Sequence, residues 1–496
     1  MANRIVRGIG WTTASSVVRN IVHLLQLAIL TRFLDKADFG IVAIAHLFVG
    51  FTAMFLDMGI SVGIIHRQNI TNKEYSSLFW LNIIFGVVLT FGLFFLAPYI
   101  TAGYHSQDLT NVVQLICFTI FLNALGTQQR TYSQKKTYFG RLASIEIIGS
   151  VMTMTVAIAT AVMGYGVYSL AYSTLAGALF INVTHLVIGL IKDSRLHFHF
   201  SLSETLPFLK IGIYQVGSHI LDFFTRELDI LIISATLGLE FLGVYNIAKR
   251  VPTAIYSFIQ PIVTKVFAPL LAEKQGNNNV LKANYMKLSK ALSWISFPMY
   301  LLLAAISPTV ISVVFGVSYL EGVPVMMAFC LRYAFNGVNG VCGALQTATG
   351  RTDIGLIWTI YLIVSTAVVY YAASMFGIVV FLIGICALTF INVFAIWHIQ
   401  FRPMVDVKLS EYLTIYTRSF FICLSLSAIV FYIYSDPSLP YSVFASVIYV
   451  MIYMYFIINS KDGNDIISVM KTMKMSSIVV AMVEKYRYKS FPMIKM

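Results

Sequence analysis

The amino-acid sequence predicts an all-α polytopic membrane protein with about fourteen transmembrane helices. Of its 496 residues, 58% are hydrophobic and 11% are charged, whereas a soluble domain carries about 25% charged residues. The mean hydropathy is +0.81. Residues 354–397 contain no Asp, Glu, Lys or Arg, a run that suffices for two helices of about 20 residues. These features exclude a soluble enzyme and a disordered chain, and the long runs argue against an outer-membrane barrel, whose strands alternate polar and apolar residues.

Each predicted helix is an apolar run bounded by charged residues or by a break that contains glycine. The run at 109–129 has charged or polar neighbours at both ends, and a break at 374–377 divides the long run that begins at residue 354. In chain order the fourteen predicted spans cover residues 10–30, 40–65, 77–101, 109–129, 143–163, 166–191, 211–235, 242–270, 291–314, 323–347, 354–375, 377–399, 412–434 and 440–459.

The distribution of Lys and Arg predicts the orientation of these spans. The chain holds 34 Lys and Arg against 21 Asp and Glu, which gives a net charge of +13. With a cytoplasmic N-terminus, the cytoplasmic segments contain 25 Lys and Arg, including Arg130 and Arg141 in one loop, and the outside loops contain two. The positive-inside rule therefore places both termini in the cytoplasm. The same rule explains the excess of Lys and Arg over Asp and Glu by their location beside the membrane lipids. No nucleic-acid partner is therefore predicted.

Two parts of the chain resemble each other at an offset of 203 residues. Gly40 and its neighbours recur around Gly243, and the helix that precedes each glycine carries polar residues spaced i, i+4, i+7, i+11 and i+14, which is one face of a helix. The two polar stripes are Thr12, Ser16, Arg19, His23 and Gln26, and Gln215, His219, Asp222, Arg226 and Asp229.

This repeat predicts two lobes of six helices each. Because six is an even number, the second lobe begins on the same side of the membrane as the first, so the repeat is parallel. The predicted organisation is an N-terminal lobe at 1–200, a C-terminal lobe at 201–405, two additional helices at 406–460 and a basic cytoplasmic tail at 461–496. Transporters are commonly built from such lobes, with the substrate handled at their interface.

Two motifs resemble those of a known family. Residues 30–40 read LTRFLDKADFG, similar to the LARxLxPxDFG signature of polysaccharide exporters, although Thr31 and Ala37 replace the usual Ala and Pro. Residues 242–248 read LGVYNIA, similar to the LGxYxxA that opens the second half of those proteins. The chain is therefore identified as a member of the polysaccharide exporters and O-antigen or colanic-acid repeat-unit flippases, a branch of the multidrug and toxic compound extrusion superfamily.

The resemblance implies a fold, a substrate and a location. The fold is a pair of six-helix lobes around a central cavity. The substrate is an oligosaccharide linked to undecaprenyl pyrophosphate, moved from the cytoplasmic to the outer leaflet of the bacterial inner membrane to supply O-antigen, capsule or exopolysaccharide. A polysaccharide polymerase and chain-length machinery are the protein partners that the resemblance implies.

Arginines inside the predicted spans are the leading candidates for substrate binding. Arginine at the centre of a transmembrane helix costs about 2.5–3.5 kcal/mol on insertion scales, so a function must offset that cost. A guanidinium binds phosphate oxygens bidentately. Arg19 and Arg226 are predicted to hold the pyrophosphate, with His23 and Gln26 of the first polar stripe beside them. The alternative is a structural ion pair of either arginine with Asp222.

Further cationic and polar residues lie in the predicted C-terminal lobe. Lys249 and Arg250 are adjacent on the eighth predicted helix, and both are candidates for the substrate cavity. Arg332 and Asn336 are separated by one helical turn and can hydrogen-bond sugar hydroxyls.

Five acidic residues also fall within predicted spans. A carboxylate in lipid is either paired or titrates with a shifted pKa, so Asp222 and Asp229, together with His23, are candidates for ion or proton coupling; a salt-bridge cluster explains them equally well. Asp57 is a further candidate, with a helix cap or turn as its alternative. Glu146 is another acid within a span.

Several signals of other functions are absent from the sequence. It contains no phosphate-binding GxxxxGK[ST] loop, no DxD metal pair, no HExxH and no GxSxG. The five cysteines lie in apolar runs without metal-ligand spacing, which is typical of small buried hydrophobic residues. We therefore expect a transporter without catalytic residues, metal or cofactor.

Two rival functions remain open at the level of the sequence. A cation-coupled multidrug antiporter of the same superfamily would favour an anionic cavity, whereas the spans carry seven Lys and Arg against five Asp and Glu. A polysaccharide polymerase is the second rival, and the short outside loops argue against it. The count of charges in the spans favours an anionic substrate, and the short loops favour an exporter over a polymerase.

Overall fold

The computed structural model describes residues 2–67, 70–193, 196–262, 267–273, 278–433 and 439–459. This part of the chain is helical, and it contains no β-strand. Ten helical segments within it are long and apolar enough to cross a membrane. The prediction of an all-helical, multi-pass membrane protein is confirmed. The count of fourteen spans stays a prediction.

The chain divides into two compact units, Met1–Ile247 and Ala248–Met496. The described part of the first unit is built from nine helices and the start of a tenth. They are α1 (Ala2–Leu30), α2 (Lys36–Asp57), α3 (Ile60–His66), α4 (Asn72–Thr101), α5 (Gln107–Ile116), α6 (Phe118–Lys135), α7 (Phe139–Val162), α8 (Tyr168–Ile188), α9 (Leu202–Thr236) and α10 (Leu239–Ile262). The predicted lobe boundary at residue 200 rests on the repeat in the sequence and stays a prediction.

The predicted span at 40–65 is two helices, α2 and α3, with a turn between them. Met58 and Gly59 adopt left-handed backbone angles, with φ of 42° and 72°. Asp57 accepts hydrogen bonds from the hydroxyl of Ser61 at 2.6 Å and from its backbone N–H at 3.2 Å. The carboxylate therefore satisfies an amide at the N-terminus of α3, which is what a helix cap does.

Small residues let the helices of the first unit approach closely. A Cβ on Gly149 of α7 would lie 2.4 Å from a side-chain atom of Ile181 of α8, and one on Gly126 of α6 would lie 2.4 Å from the Asn182 side chain of the same helix α8. Asn182 also donates a 2.9 Å hydrogen bond to the side-chain oxygen of Asn123. Close packing and interhelical hydrogen bonds are the main attractive forces between helices in lipid.

The first residues of α2 and α10 cross with their backbones in contact. A Cβ on Gly40 would lie 2.0 Å from the carbonyl oxygen of Leu239, and a Cβ on Gly243 would lie 1.8 Å from the carbonyl oxygen of Lys36. Gly40 and Gly243 are the glycines related by the 203-residue offset. Only glycine permits this contact at either position.

The second unit continues α10 and adds ten helices within the described residues. They are α11 (Ala268–Ala272), α12 (Asn278–Ala305), α13 (Ser307–Val314), α14 (Val323–Thr349), α15 (Thr352–Ser374), α16 (Ile378–Ile396), α17 (Arg402–Val405), α18 (Leu409–Leu413), α19 (Thr417–Ile433) and α20 (Leu439–Asn459). The predicted span at 291–314 begins earlier than expected and is interrupted at Ile306, where α12 gives way to α13. The predicted basic tail at 461–496 lies outside the described residues.

The helices after residue 406 are joined to the core of the second unit by hydrogen bonds. The hydroxyl of Ser419 in α19 donates to that of Ser293 in α12 at 3.0 Å. The hydroxyl of Tyr416 donates to the side-chain oxygen of Asn339 in α14 at 2.8 Å. The Tyr453 hydroxyl in α20 donates to the backbone carbonyl of Trp294. These contacts make the additional helices part of the second unit.

Candidate functional site

Arg19 of α1 lies against α7 in the first unit. Its Nη2 is 3.4 Å from Oε2 of Glu146 and 3.5 Å from the hydroxyl of Ser16. Position 19 faces α7 because α1 packs along that helix. The Arg19 side chain keeps 40% of its surface exposed, whereas the Glu146 side chain keeps 12%. The carboxylate is thus mostly covered, and the arginine side chain that pairs with it is partly exposed.

A second guanidinium reaches the same carboxylate from α6. Arg130 donates to Oε1 of Glu146, and its side chain is 46% exposed. The hydroxyl of Ser15 donates to Oε2 at 3.4 Å. Each carboxylate oxygen therefore faces a different guanidinium, and the three side chains of Arg19, Arg130 and Glu146 carry one net positive charge. We call these three residues the Glu146 cluster.

The three charged side chains of the Glu146 cluster stabilise one another. A carboxylate buried among transmembrane helices is costly unless it is paired and hydrogen-bonded, and two guanidiniums with one hydroxyl meet that need. The two cations would repel each other without the carboxylate between them. Since both arginine side chains are partly exposed, an anion can approach them while both remain paired with Glu146.

The sequence prediction missed Arg130 and did not assign Glu146 a role. Arg130 was expected in a loop because the predicted span ended at residue 129, but α6 continues to Lys135. Only residues 136–138 separate α6 from α7, so the two helices form a tight antiparallel hairpin. Arg130 and Glu146 are sixteen residues apart and lie at similar distances from the turn of this hairpin. A short loop between two predicted helices is the feature of the sequence from which their contact can be predicted. Buried His185 of α8 interacts electrostatically with both of them.

The second polar stripe occupies α9. Asp222 and Arg226 are both exposed, one helical turn apart, and neither takes part in an ion pair among the residues that the structure describes. The ion pair described for Arg19 is with Glu146, and not with Asp222 as in the alternative considered from the sequence. In the first stripe, His23 is half-buried and Gln26 is buried. The roles predicted for these residues stay predictions.

Two acids considered for ion coupling, Asp57 and Asp229, accept hydrogen bonds from neighbouring residues. Asp57, at the end of α2, accepts the hydrogen bonds from Ser61 in the first turn of α3 described above. Asp229 is 3% exposed and accepts a 2.6 Å hydrogen bond from the hydroxyl of Tyr245, and its other oxygen accepts the backbone N–H of Ile230 at 2.9 Å. Both carboxylates are thus stabilised by neutral donors.

Lys249 and Arg332 come together in the second unit. The Lys249 ammonium lies 5.6 Å, and the Arg332 guanidinium carbon 5.9 Å, from the ring centroid of Phe329, within the range of a cation–π contact. Arg332 also donates a 2.9 Å hydrogen bond to the hydroxyl of Tyr370. Arg250 is exposed, as expected for the residue adjacent to Lys249 on a helix, and Asn336 is half-buried one turn after Arg332.

The described residues contain no group of three or more His, Cys, Asp or Glu that could hold a metal ion. The groups present at the Glu146 cluster and around Phe329 are guanidiniums, an ammonium, a carboxylate, hydroxyls and aromatic rings. Such groups bind anions and polar organic ligands.

Two curated relatives match most of this chain. The teichuronic acid biosynthesis protein TuaB of Bacillus subtilis (strain 168) is 26% identical over 436 residues, which cover 87% of this chain and 89% of the relative. The lipopolysaccharide biosynthesis protein WzxC of Escherichia coli (strain K12) is 25% identical over 419 residues, with 83% and 84% covered.

A solved structure shares the fold. The lipid II flippase MurJ in an inward closed conformation superposes with a TM-score of 0.71 at 13% sequence identity, and the match covers 90% of this chain and 99% of that one. The family described as "Polysaccharide biosynthesis protein" matches residues 29–324, more than half of the sequence. The family resemblance predicted from the two motifs is therefore confirmed, and the chain belongs to the polysaccharide biosynthesis protein family.

Proposed function

We propose that this chain is a flippase for polysaccharide repeat units carried on undecaprenyl pyrophosphate. It moves the lipid-linked oligosaccharide from the cytoplasmic to the outer leaflet of the bacterial inner membrane by alternating access of its two lobes. Membership of the family supports this proposal, as do the relatives named for teichuronic acid and lipopolysaccharide biosynthesis. The product supplies a polymerase and chain-length machinery.

The observation that carries the proposal is the pair of guanidiniums on Glu146. A pyrophosphate presents two adjacent phosphates, and each can accept a charge-assisted hydrogen bond pair from one arginine. Arg19 and Arg130 are two partly exposed arginines whose guanidiniums lie on either oxygen of one carboxylate. That spacing suits a ligand with two neighbouring negative charges.

The same cluster disfavours the multidrug antiporter. A cationic drug approaching Arg19 and Arg130 would meet one net positive charge in a low-dielectric region, which is repulsive. Arg226, Lys249, Arg250 and Arg332 extend this cationic character to other helices of the proposed pathway. Energy comes from an ion gradient, with Asp222, Asp229 and His23 as coupling candidates, or from removal of the product outside.

The proposal is tested by deleting the chain from its host and assaying lipid-linked repeat units on each side of the inner membrane. A flippase gives accumulation on the cytoplasmic side and loss of surface polymer. Unpolymerised units on the outer side would indicate a polymerase instead. Normal polymer with new sensitivity to cationic dyes would indicate the antiporter.

Complementation of the deletion supplies the matched controls. Wild type and an Arg351→Ala variant should both restore the polymer, because Arg351 pairs with Asp353 at an exposed site in the second unit. An Arg130→Ala variant at wild-type membrane level should not. Full restoration by Arg130→Ala would remove the Glu146 cluster from the proposed pathway.

A further inference from the structure

Glu146 occupies the position on Arg19 and Arg130 that an anionic ligand needs. Its two oxygens face the two guanidiniums, one oxygen each. Any headgroup that binds both cations must therefore share them with this carboxylate or displace it. The inference below rests on the proposed function, because it concerns the headgroup bound at this cluster.

We propose that Glu146 is an internal counter-ion that makes the site selective for a pyrophosphate over the single phosphate of ordinary membrane phospholipids. The membrane presents phosphodiester headgroups in great excess over any lipid-linked oligosaccharide. An open pair of arginines would bind those headgroups, since guanidinium recognises phosphate in either molecule. The Glu146 carboxylate competes with the phosphodiester for the two guanidiniums and so excludes this weaker anion.

The balance of charge explains the discrimination. A phosphodiester carries one charge and can pair with one guanidinium. When it binds, Glu146 loses that guanidinium as a partner, so one ion pair replaces another and the net gain in binding free energy is small. A pyrophosphate diester carries one charge on each phosphate and can engage both guanidiniums bidentately. It therefore forms enough charge-assisted hydrogen bonds to offset the loss of the contacts to Glu146.

Burial supports this division of roles. The Glu146 side chain is 12% exposed, whereas those of Arg19 and Arg130 are 40% and 46% exposed. A ligand reaches the cations first and meets the carboxylate only by competing for them. The Ser15 hydroxyl, at 3.4 Å from Oε2, remains as a partner for Glu146 when a ligand draws the guanidiniums away.

The experiment measures binding of two probes with the same tail to the purified full chain in detergent. The probes are P1-farnesyl P2-methyl diphosphate, which is a pyrophosphate diester, and the methyl phosphodiester of farnesol. The wild type should prefer the diphosphate by about tenfold or more, a difference of about 1.4 kcal/mol. Glu146→Gln should bind the methyl phosphodiester more tightly and reduce the preference to about threefold or less.

Glu240→Gln is the matched control, because Glu240 pairs with Lys36 in the same unit and its own side chain is 74% exposed. It should keep the wild-type preference. If Glu146→Gln keeps that preference as well, Glu146 is only a structural ion-pair partner and the inference is overturned.

A second variant covers the case in which Glu146→Gln fails to fold. The double variant Arg130→Gln with Glu146→Gln keeps the net charge of the cluster but removes the competing carboxylate and one guanidinium, so it should bind both probes about equally; a retained wild-type preference overturns the inference. The two proposals also fail differently. A wild type that binds neither probe contradicts the headgroup site of the proposed function, whereas a wild type that binds both equally contradicts only the selectivity.

Discussion

Each residue of the Glu146 cluster affects the net charge of the cluster. Two arginines and one glutamate leave one net positive charge, so removing either arginine makes the cluster neutral, and removing the glutamate doubles its positive charge. Neutralising one member of the cluster leaves another charge without its partner, and the cost is greatest for Glu146, which is the most covered of the three. Single substitutions here are therefore expected to affect binding and stability together, and the tests must separate the two.

Arg19→Ala is expected to abolish export at normal membrane levels, because the substrate loses one of its two guanidiniums. Arg19→Lys should retain export reduced by about tenfold, since an ammonium keeps the charge but cannot bind phosphate in the bidentate mode. Surface polymer and the amount of protein in the membrane are measured for each variant. Normal export by Arg19→Ala would contradict the assignment of Arg19 to the pyrophosphate.

The charge exchange Arg19→Glu with Glu146→Arg isolates the structural contribution of this pair. The exchange preserves the ion pair but reverses which helix carries the cation. If it restores export where Arg19→Ala fails, export requires the ion pair between α1 and α7 and does not require an arginine at position 19 itself.

Two substitutions of Asp57 distinguish a helix-capping role of this residue from an ion-coupling role. Asparagine caps a helix about as well as aspartate, whereas alanine costs about 1 kcal/mol. Asp57→Asn should therefore keep both stability and export, and Asp57→Ala should lower the unfolding temperature in detergent. Loss of export in a stable Asp57→Asn variant would show that the charge itself is needed, as a coupling role requires.

At the scale of elements, α2 and α10 meet where no side chain fits. Gly40 lies against the backbone of Leu239, and Gly243 lies against that of Lys36. Both contacts are with carbonyl oxygens of the backbone, which cannot move aside as a flexible side chain would. The repeat motif in the sequence thus marks a place of helix packing, and its glycines are required by geometry.

Gly40→Ala is expected to destabilise the protein by about 1–3 kcal/mol or more, because its Cβ would lie 2.0 Å from the Leu239 carbonyl oxygen. The unfolding midpoint in detergent measures the effect. Gly92→Ala is the matched control, since Gly92 also lies within a helix and has no atom within 4 Å of its added Cβ. Equal midpoints for the two variants would contradict the close crossing of α2 and α10.

At the scale of the whole molecule, the orientation in the membrane is a prediction from the charge of the loops. The segment between α8 and α9 is predicted to be cytoplasmic, and that between α1 and α2 to be outside. In the structure the backbone N–H of His197, in the first of these segments, donates to the hydroxyl of Ser76 in α4 at 2.9 Å. At the start of α9, Glu204 accepts from the hydroxyl of Ser77 in α4 at 2.7 Å. The Ser77 and His199 side chains lower the pKa of the Glu204 carboxyl.

Cysteine labelling from each side of the membrane tests this orientation. Phe198→Cys, at a position 97% exposed, should react only with reagent supplied to the cytoplasmic side, and Phe33→Cys, at a position 51% exposed, only with reagent outside. Four of the five native cysteines are buried, so background labelling should be low. Labelling of Phe198→Cys from outside would reverse the predicted orientation.

The sequence by itself determined that the chain is a multi-pass helical membrane protein of a polysaccharide family. Long apolar runs and a few motif residues are local features, and lipid permits few structures besides helices for such runs. It also singled out Arg19, because an arginine within an apolar span is rare. What it could not determine was the partner of Arg19.

Only the tertiary structure decided that Arg19 meets Glu146 and Arg130, and that Lys249 and Arg332 share the ring of Phe329. The sequence pattern offered Asp222 as a partner because it lies at the equivalent position of the second stripe. Contacts between helices distant in sequence depend on their relative rotation and translation. Those are set by close packing at residues such as Gly126 and Gly149, which composition and periodicity do not report.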